Sequence, residues 1–225
     1  MRIAVLIISF PEGDRWQFEK SIWETYMNAR DWVDCFFLEA DGTLPKGSVQ
    51  QSGNFLKIGC VDNIEEGIFK KTISALHHLG DSYDFFIRTN LSTFWRFDLL
   101  KEKLKQVGND NPFYGGWAWR DFVGGFAIVL NREGKEHLVD EGLKQYDQKG
   151  RDDRLIGSIF NRDNNFIHVP LNEDCFYWEY EDLDLEKAII KIRDEQKFII
   201  RTLPHGDLHC QKQILEKLLF EFESI

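Results

Sequence analysis

The stretch Tyr83-Asp84-Phe85-Phe86-Ile87-Arg88-Thr89-Asn90-Leu91-Ser92-Thr93-Phe94-Trp95 limits what this chain can fold into more than any other. Phe85 to Ile87 is an apolar run that follows the turn-forming Gly80-Asp81-Ser82 and breaks at once into Arg-Thr-Asn-x-Ser. A short run between such signals predicts a buried central strand ending in a polar site. Arg88, Thr89, Asn90 and Ser92 then stand at the carboxyl edge, where open α/β sheets hold ligands. Simple turn capping is the competing role for the polar residues, because Asn and Ser bond local backbone readily.

The flanking segments favour the sheet. Ile3 to Phe10 is a near-continuous apolar run, as expected of a parallel strand covered on both faces, with Ser9, Phe10 and Pro11 in its carboxyl-end loop. From Asp14, read as a cap, Trp16, Ile22, Trp23, Tyr26 and Met27 recur at helical spacing, and these aromatics are assigned to the core. Asp34 to Asp41 is a second strand. Its terminal Asp41 points to the same edge as Ser9, or is a turn aspartate. Phe55 to Cys60 is a third strand, and Asn63 opens a helix running to about Leu79. Lys70 and Lys71 lie near its start, where the helix dipole does not favour a cation, so either a ligand phosphate or a solvated face accounts for them. The resulting order is a Rossmann-like α/β half with neither G-x-G-x-x-G nor a P-loop.

After the central strand, Phe97 to Val107 is an amphipathic helix. The segment from Phe113 to Leu130 combines paired glycines with Trp117 and Trp119, flat apolar faces suited to sugar rings or to packing in a hairpin. Asn131 starts a helix. Asp152 and Asp153 precede another, where a carboxylate is either a cap or, in a cleft, a general base. Phe166 to Leu171 is a short strand, followed by an aromatic and acidic loop with Tyr177 and Trp178. Asp184 to Gln196 reads as a helix, Lys197 to Arg201 as a strand and Asp207 to Phe222 as a closing helix. We read residues 1–225 as one domain, with a nucleotide-binding half (1–95) and an acceptor-binding half (96–225).

Charge narrows the partners. With 28 Lys and Arg against 38 Asp and Glu, the charge argues against a nucleic-acid backbone as partner, whereas a nucleotide needs only a few local donors. Seven Trp and six Tyr exceed the needs of a core and point to a lined site. Cys35, Cys60, Cys175 and Cys210 form no C-x-x-C pair, so reduced thiols and a cytoplasmic location are expected. The first apolar run is short and lacks a cleavage site, and nothing approaches the ~20 apolar residues of a transmembrane segment.

Three segments in order resemble the inverting β-1,3-glycosyltransferases of the galactosyltransferase and Fringe type. Lys71-Thr72 is similar to that family's helical Lys-Thr, and Arg88-Thr89-Asn90-Leu91-Ser92-Thr93-Phe94 to its Lys-Thr-Asp-Asp-Asp-Val-Phe. Tyr114 to Gly116 and Val123 to Leu130 are similar to its Tyr-x-x-Gly and Ser-Gly-Gly-Gly-Tyr-Val-Leu-Ser. Asp152-Asp153-Arg154-Leu155-Ile156-Gly157 is similar to its Glu-Asp-Val-x-x-Gly. The resemblance spans about residues 68 to 157. It implies a GT-A fold, α/β with a mostly parallel mixed central sheet flanked by helices. The implied reaction is inverting transfer from a nucleotide sugar, by analogy a UDP-sugar, to a glycan or glycoprotein acceptor.

On the same basis Asp153 is the general base with Asp152 assisting. Ser9, Phe10, Asp41, Lys71, Arg88, Thr89, Asn90 and Ser92 are the candidate donor-binding residues. Trp117, Trp119, Tyr177 and Trp178 are candidate acceptor walls by residue type. The family's metal-binding Asp-x-Asp is replaced by Asn90-Leu91-Ser92, and an amide and a hydroxyl are poor ligands for a hard cation. No metal ligand is therefore assigned, no cofactor is expected to be required, and strong Mn²⁺ or Mg²⁺ binding is not expected there. Arg88, Lys71 or Arg154 would balance the diphosphate charge instead; His205 and His209 are open to contacting phosphate, completing a metal site or serving as ordinary surface residues, and no metal is assigned to them. A carbohydrate-binding scaffold and a nucleotidyltransferase on the same sheet remain the alternatives.

Overall fold

The computed structural model describes residues 1–107, 112–119, 121–162, 166–178, 184–202 and 207–223. Its centre is an eight-stranded sheet. In chain order the strands are β1 (Ile3–Ile8), β2 (Val33–Ala40), β3 (Val49–Ser52), β4 (Phe55–Ile58), β5 (Phe85–Asn90), then β7 (Phe113–Trp119), β8 (Phe122–Asn131) and β9 (Ile167–Pro170), with β6 (Thr93–Trp95) placed elsewhere. They lie in the order β3-β4-β2-β1-β5-β8-β7-β9. β4, β2, β1 and β5 run parallel, and β8 returns antiparallel between β5 and β7. The sheet is thus mixed and mostly parallel.

Strict alternation along β1 explains its unbroken apolar run. Ile3, Val5 and Ile7 enter one core with Trp23, Tyr26, Leu100 and Leu215, while Ala4, Leu6 and Ile8 enter the other with Phe69, Ile73, Leu138 and Ile156. Each large side chain so buried contributes roughly 1.5–3 kcal/mol. The first core lies under α1 (Asp14–Tyr26), α3 (Phe97–Val107), α6 (Leu185–Asp194) and α7 (Leu208–Phe222). The second lies under α2 (Gly67–Leu79), α4 (Arg132–Lys144) and α5 (Asp152–Phe160).

Several boundaries differ from the sequence reading. β3 is an edge strand of polar, exposed residues (Gln50, Gln51, Ser52), so no apolar alternation announces it. Asp14 is the first helical residue of α1, capped by Gly13 at φ 111°, and not itself the cap. α2 begins at Gly67 because Asn63 Oδ1 accepts from the backbone N–H groups of Glu65, Glu66 and Gly67. Lys70 and Lys71 do not form a solvated face: both are buried, Lys70 pairing with Glu66 at 3.2 Å and Lys71 with Asp62 at 2.9 Å.

A second, three-stranded sheet has the order β10-β11-β6, with β10 at Cys175–Tyr177 and β11 at Ile199–Arg201. β6 follows β5 after a two-residue turn through Leu91 and Ser92, so the small sheet is tied to the carboxyl end of the central strand. Register sets Tyr177 beside Arg201 and Arg201 opposite Thr93. All four cysteines are free thiols. Among the described residues no helix is long and apolar enough to cross a membrane.

Candidate active site

Topology converges on one edge. β1 lies between β2 and β5 with all three parallel, so its crossovers leave in opposite directions and open a crevice at the carboxyl ends. β8 runs against β5 with Thr89 opposite Ala127, which brings Gly124 and Gly125 to that same edge. β7 runs back again and delivers Trp117 and Trp119 there. A cavity of about 850 Å³ occupies the crevice, and the small sheet closes its side with Tyr177 and Arg201.

The floor is ionic. Arg88, 3% exposed, meets Asp152 at 2.5 Å from the head of α5 and donates to Asn90 Oδ1 at 3.1 Å. Burial raises the Asp152 carboxyl above its ordinary range, an effect opposed by Arg88, and burial lowers the Arg88 guanidinium against the pull of Asp152 and Asp153. Gly125 makes the pair possible, since a Cβ there would fall 2.6 Å from Arg88 Nη1. Asp153 also lines the cavity; its Oδ1 accepts from the Arg154 N–H at 2.9 Å. Asp152 is thus committed to Arg88, whereas Asp153 is held by the Arg154 N–H and lies 4.0 Å from the Arg151 guanidinium.

The roof is aromatic. Trp117 stacks on Trp119 with centroids 5.4 Å apart, and Tyr177 lies 6.1 Å from Trp117. A bulge between Gly116 and Ala118 turns this strand end, and Gly116 is needed there: at φ 143° its Cβ would strike the Ala127 carbonyl. Trp119 and Tyr177 remain 49% and 40% exposed and present their faces to the cavity. On the opposite side Phe10 packs on Trp16 at 4.9 Å, and both line the cavity.

Of the candidate donor residues, Phe10, Arg88, Asn90 and Ser92 line the cavity. Lys71 does not: fully buried, it is held by Asp62 and by the Ser9 carbonyl and sits 4.8 Å from the Phe10 ring, which it supports from behind. Ser9 is likewise buried, with its hydroxyl toward Glu39. Thr89 alternates onto the far face, donating to the Phe126 carbonyl at 2.7 Å and accepting from Trp95 Nε1 at 2.9 Å. Asp41 accepts from the Thr43 N–H and hydroxyl and is a turn aspartate. Among the acceptor candidates Trp117, Trp119 and Tyr177 converge, but Trp178 is a core residue, 1% exposed and edge-on to Phe176. Arg154 lines the cavity mouth, His209 is exposed on α7, and His205 lies outside the described residues.

The sequence reading does not single out several lining residues, among them Trp16, Arg151 and Arg201. Trp16 was assigned to the core, yet it lies at the start of α1 and reaches the cavity. Arg201 was read only as a strand end. Its signal was present: Ile199-Ile200-Arg201 is an apolar run broken by arginine, the pattern of Phe86-Ile87-Arg88.

The Asn90-Leu91-Ser92 position does not suit a divalent cation. Asn90 Oδ1 already accepts from the Arg88 guanidinium and Ser92 Oγ from that of Arg201 at 2.5 Å, so two cations occupy the oxygens a metal would need. Among the described residues no cluster of three or more His, Cys, Asp or Glu could hold a metal ion.

No family model matches the chain, and no curated protein matches it in sequence. Solved structures do match in shape. A glycosyltransferase involved in the glycosylation of the major capsid of PBCV-1 superposes with a TM-score of 0.58 at 10% identity, covering 96% of this chain and all (100%) of that one. The apo-form glycosyltransferase GlyE of Streptococcus pneumoniae TIGR4 gives 0.50 at 12% identity, covering 99% of this chain and 63% of GlyE, so this chain spans under two thirds of GlyE's length. At such identities the likeness is one of fold, and the fold is of the GT-A glycosyltransferase type.

Proposed function

We propose that this protein transfers a sugar from a nucleoside diphosphate sugar, by its resemblance a UDP-sugar, to a hydroxyl of a glycan or glycoprotein acceptor with inversion. The observation that carries this reading is one crevice on a GT-A-type sheet that joins arginines, an aromatic platform and a carboxylate free of the arginine pair. The diphosphate lies toward Arg88, Asn90 and Ser92, and the acceptor stacks under Trp117, Trp119 and Tyr177. Asp153 takes the proton of the acceptor hydroxyl as its oxygen bonds to the anomeric carbon. The bond from that carbon to the diphosphate oxygen breaks, and the nucleoside diphosphate leaves with the electron pair. Asp152 keeps Arg88 aimed at the leaving group and does not itself receive the proton.

The test is release of nucleoside diphosphate from a panel of nucleotide sugars offered with glycan acceptors. Wild type turns over one donor, and Asp153→Asn lowers kcat by about 10²–10⁴-fold with little change in donor binding. Unchanged turnover in Asp153→Asn would remove Asp153 from the chemistry. Glycan binding with no turnover of any donor would favour a carbohydrate-binding module instead.

A further inference from the structure

Arg201 differs from every other buried cation of the site. It is 9% exposed, yet among the described residues no carboxylate lies within ion-pair distance of it. Lys20, Lys71 and Arg88, equally buried, each have one, at 2.6, 2.9 and 2.5 Å. Arg201 is instead held by neutral groups: Nη1 donates to Ser92 Oγ at 2.5 Å and Thr93 Oγ1 at 3.2 Å, and the guanidinium lies 5.3 Å from the centre of the Phe126 ring. These contacts fix the plane of the fork without neutralising it. Burying a full charge with no counter-charge is costly, and proteins ordinarily do so only where an anion arrives from outside.

The electrostatics agree. Burial lowers the Arg201 guanidinium to about 10, so it remains charged at neutral pH. Against that burial, Tyr177 favours the charge, through its hydrogen bond as well as its field, followed by Glu19, a carboxyl itself pushed up to about 7 by burial and only partly ionised at neutral pH; Arg88 opposes it. Ser92, to which Arg201 is fastened, is the residue that stands where a metal-binding carboxylate stands in the resembled family. A carboxylate at that point would pair with Arg201 and silence it, whereas a hydroxyl leaves its charge available.

We propose that Arg201 is an anion site that takes a phosphate of a diphosphate ligand directly, in the place of a divalent metal. A planar guanidinium presents parallel donors that match two phosphate oxygens, and Arg88 across the cavity completes the clamp. For the nature of the natural ligand this inference rests on the glycosyltransferase reading, but the anion site stands or falls separately.

The experiment is calorimetric titration of the full chain with inorganic pyrophosphate in excess chelator. Wild type binds one equivalent. Arg201→Gln weakens binding by at least about 30-fold with an unchanged circular dichroism spectrum, and Arg201→Lys, which keeps the charge but not the fork, restores part of it. Ser92→Asp retains the arginine but supplies an internal carboxylate, and it causes a comparable loss. Lys191→Gln, exposed on α6, is the control for net charge. Equal pyrophosphate affinity in wild type, Arg201→Gln and Ser92→Asp would overturn the proposal, as would wild-type binding that appears only with Mn²⁺. Pyrophosphate binding that depends on Arg201 while no nucleotide sugar is turned over would keep the anion site and discard the transferase reading. Turnover with a donor KM unaffected by Arg201→Gln would do the reverse.

Discussion

The cavity has two arginine-bearing edges, and they are built on opposite principles. On the large sheet Arg88 is locked to Asp152 at 2.5 Å, with Gly125 shaped to admit the pair. On the small sheet Arg201 is held by hydroxyls and a phenyl ring, with no carboxylate among the described residues within ion-pair distance of it. The first arrangement stabilises the empty protein and positions its parts. The second sacrifices some stability and gains affinity for an incoming anion, so equal burial of the same side chain leaves one guanidinium already paired inside the protein and the other open to the ligand.

Stability measurements separate the two most sharply. Arg88→Ala leaves Asp152 buried without its cation and costs roughly 3–5 kcal/mol, a Tm drop on the order of 10 °C. The double variant Arg88→Met, Asp152→Leu recovers most of that loss because neither charge is left alone. Arg201→Gln, by contrast, leaves Tm within a few degrees of wild type or above it. If thermal melts placed Arg201→Gln alongside Arg88→Ala, the contrast between the edges would be lost.

A smaller effect comes from Glu19, which accepts a hydrogen bond from Gln211 at the contact of α1 with α7 and feels Arg201. Its folded value, about 7, lies above its ordinary 4.5, so the folded protein retains this proton over a range in which the unfolded chain releases it. The contribution to stability is full below pH 4.5, declines as pH rises through 7, and amounts by then to a loss of roughly 3 kcal/mol. Melts of wild type from pH 4 to 8 should fall relative to Glu19→Gln, with the gap opening mainly between pH 5 and 7. Parallel curves would mean that Glu19 titrates at its ordinary value, is ionised at neutral pH and helps neutralise Arg201, which would weaken the case for an open anion site.

Most of the fold was legible because its strands are unbroken apolar runs with helical periodicity between them. β1 read correctly because burial on both faces leaves no polar position to confuse the pattern, and β5 because its apolar first half, Phe85 to Ile87, precedes its polar end. β3 did not, because three of its four residues are exposed Gln and Ser that carry no apolar alternation. At the site, residue type and position located Arg88, Asn90, Ser92 and the Asp152-Asp153 pair at one cavity. What sequence could not resolve was direction. Thr89 is one step from Arg88 and faces the other side of the sheet, and Trp178 is one step from Tyr177 and faces the core. Arg201 was hidden by distance, more than a hundred residues from the Ser92 it grips, because only the pairing of β11 with β6 brings the two together.

Under the proposed function this crevice takes a nucleotide sugar between two arginine edges without a metal bridge. The decisive measurement is calorimetric titration of wild-type protein with nucleotide sugars and nucleoside diphosphates, each in excess chelator and again with Mn²⁺. Selective one-to-one binding of one nucleoside diphosphate and its sugar is expected, with the same affinity in chelator as with metal. Binding to none of them, or binding that vanishes on chelation, would overturn the proposal.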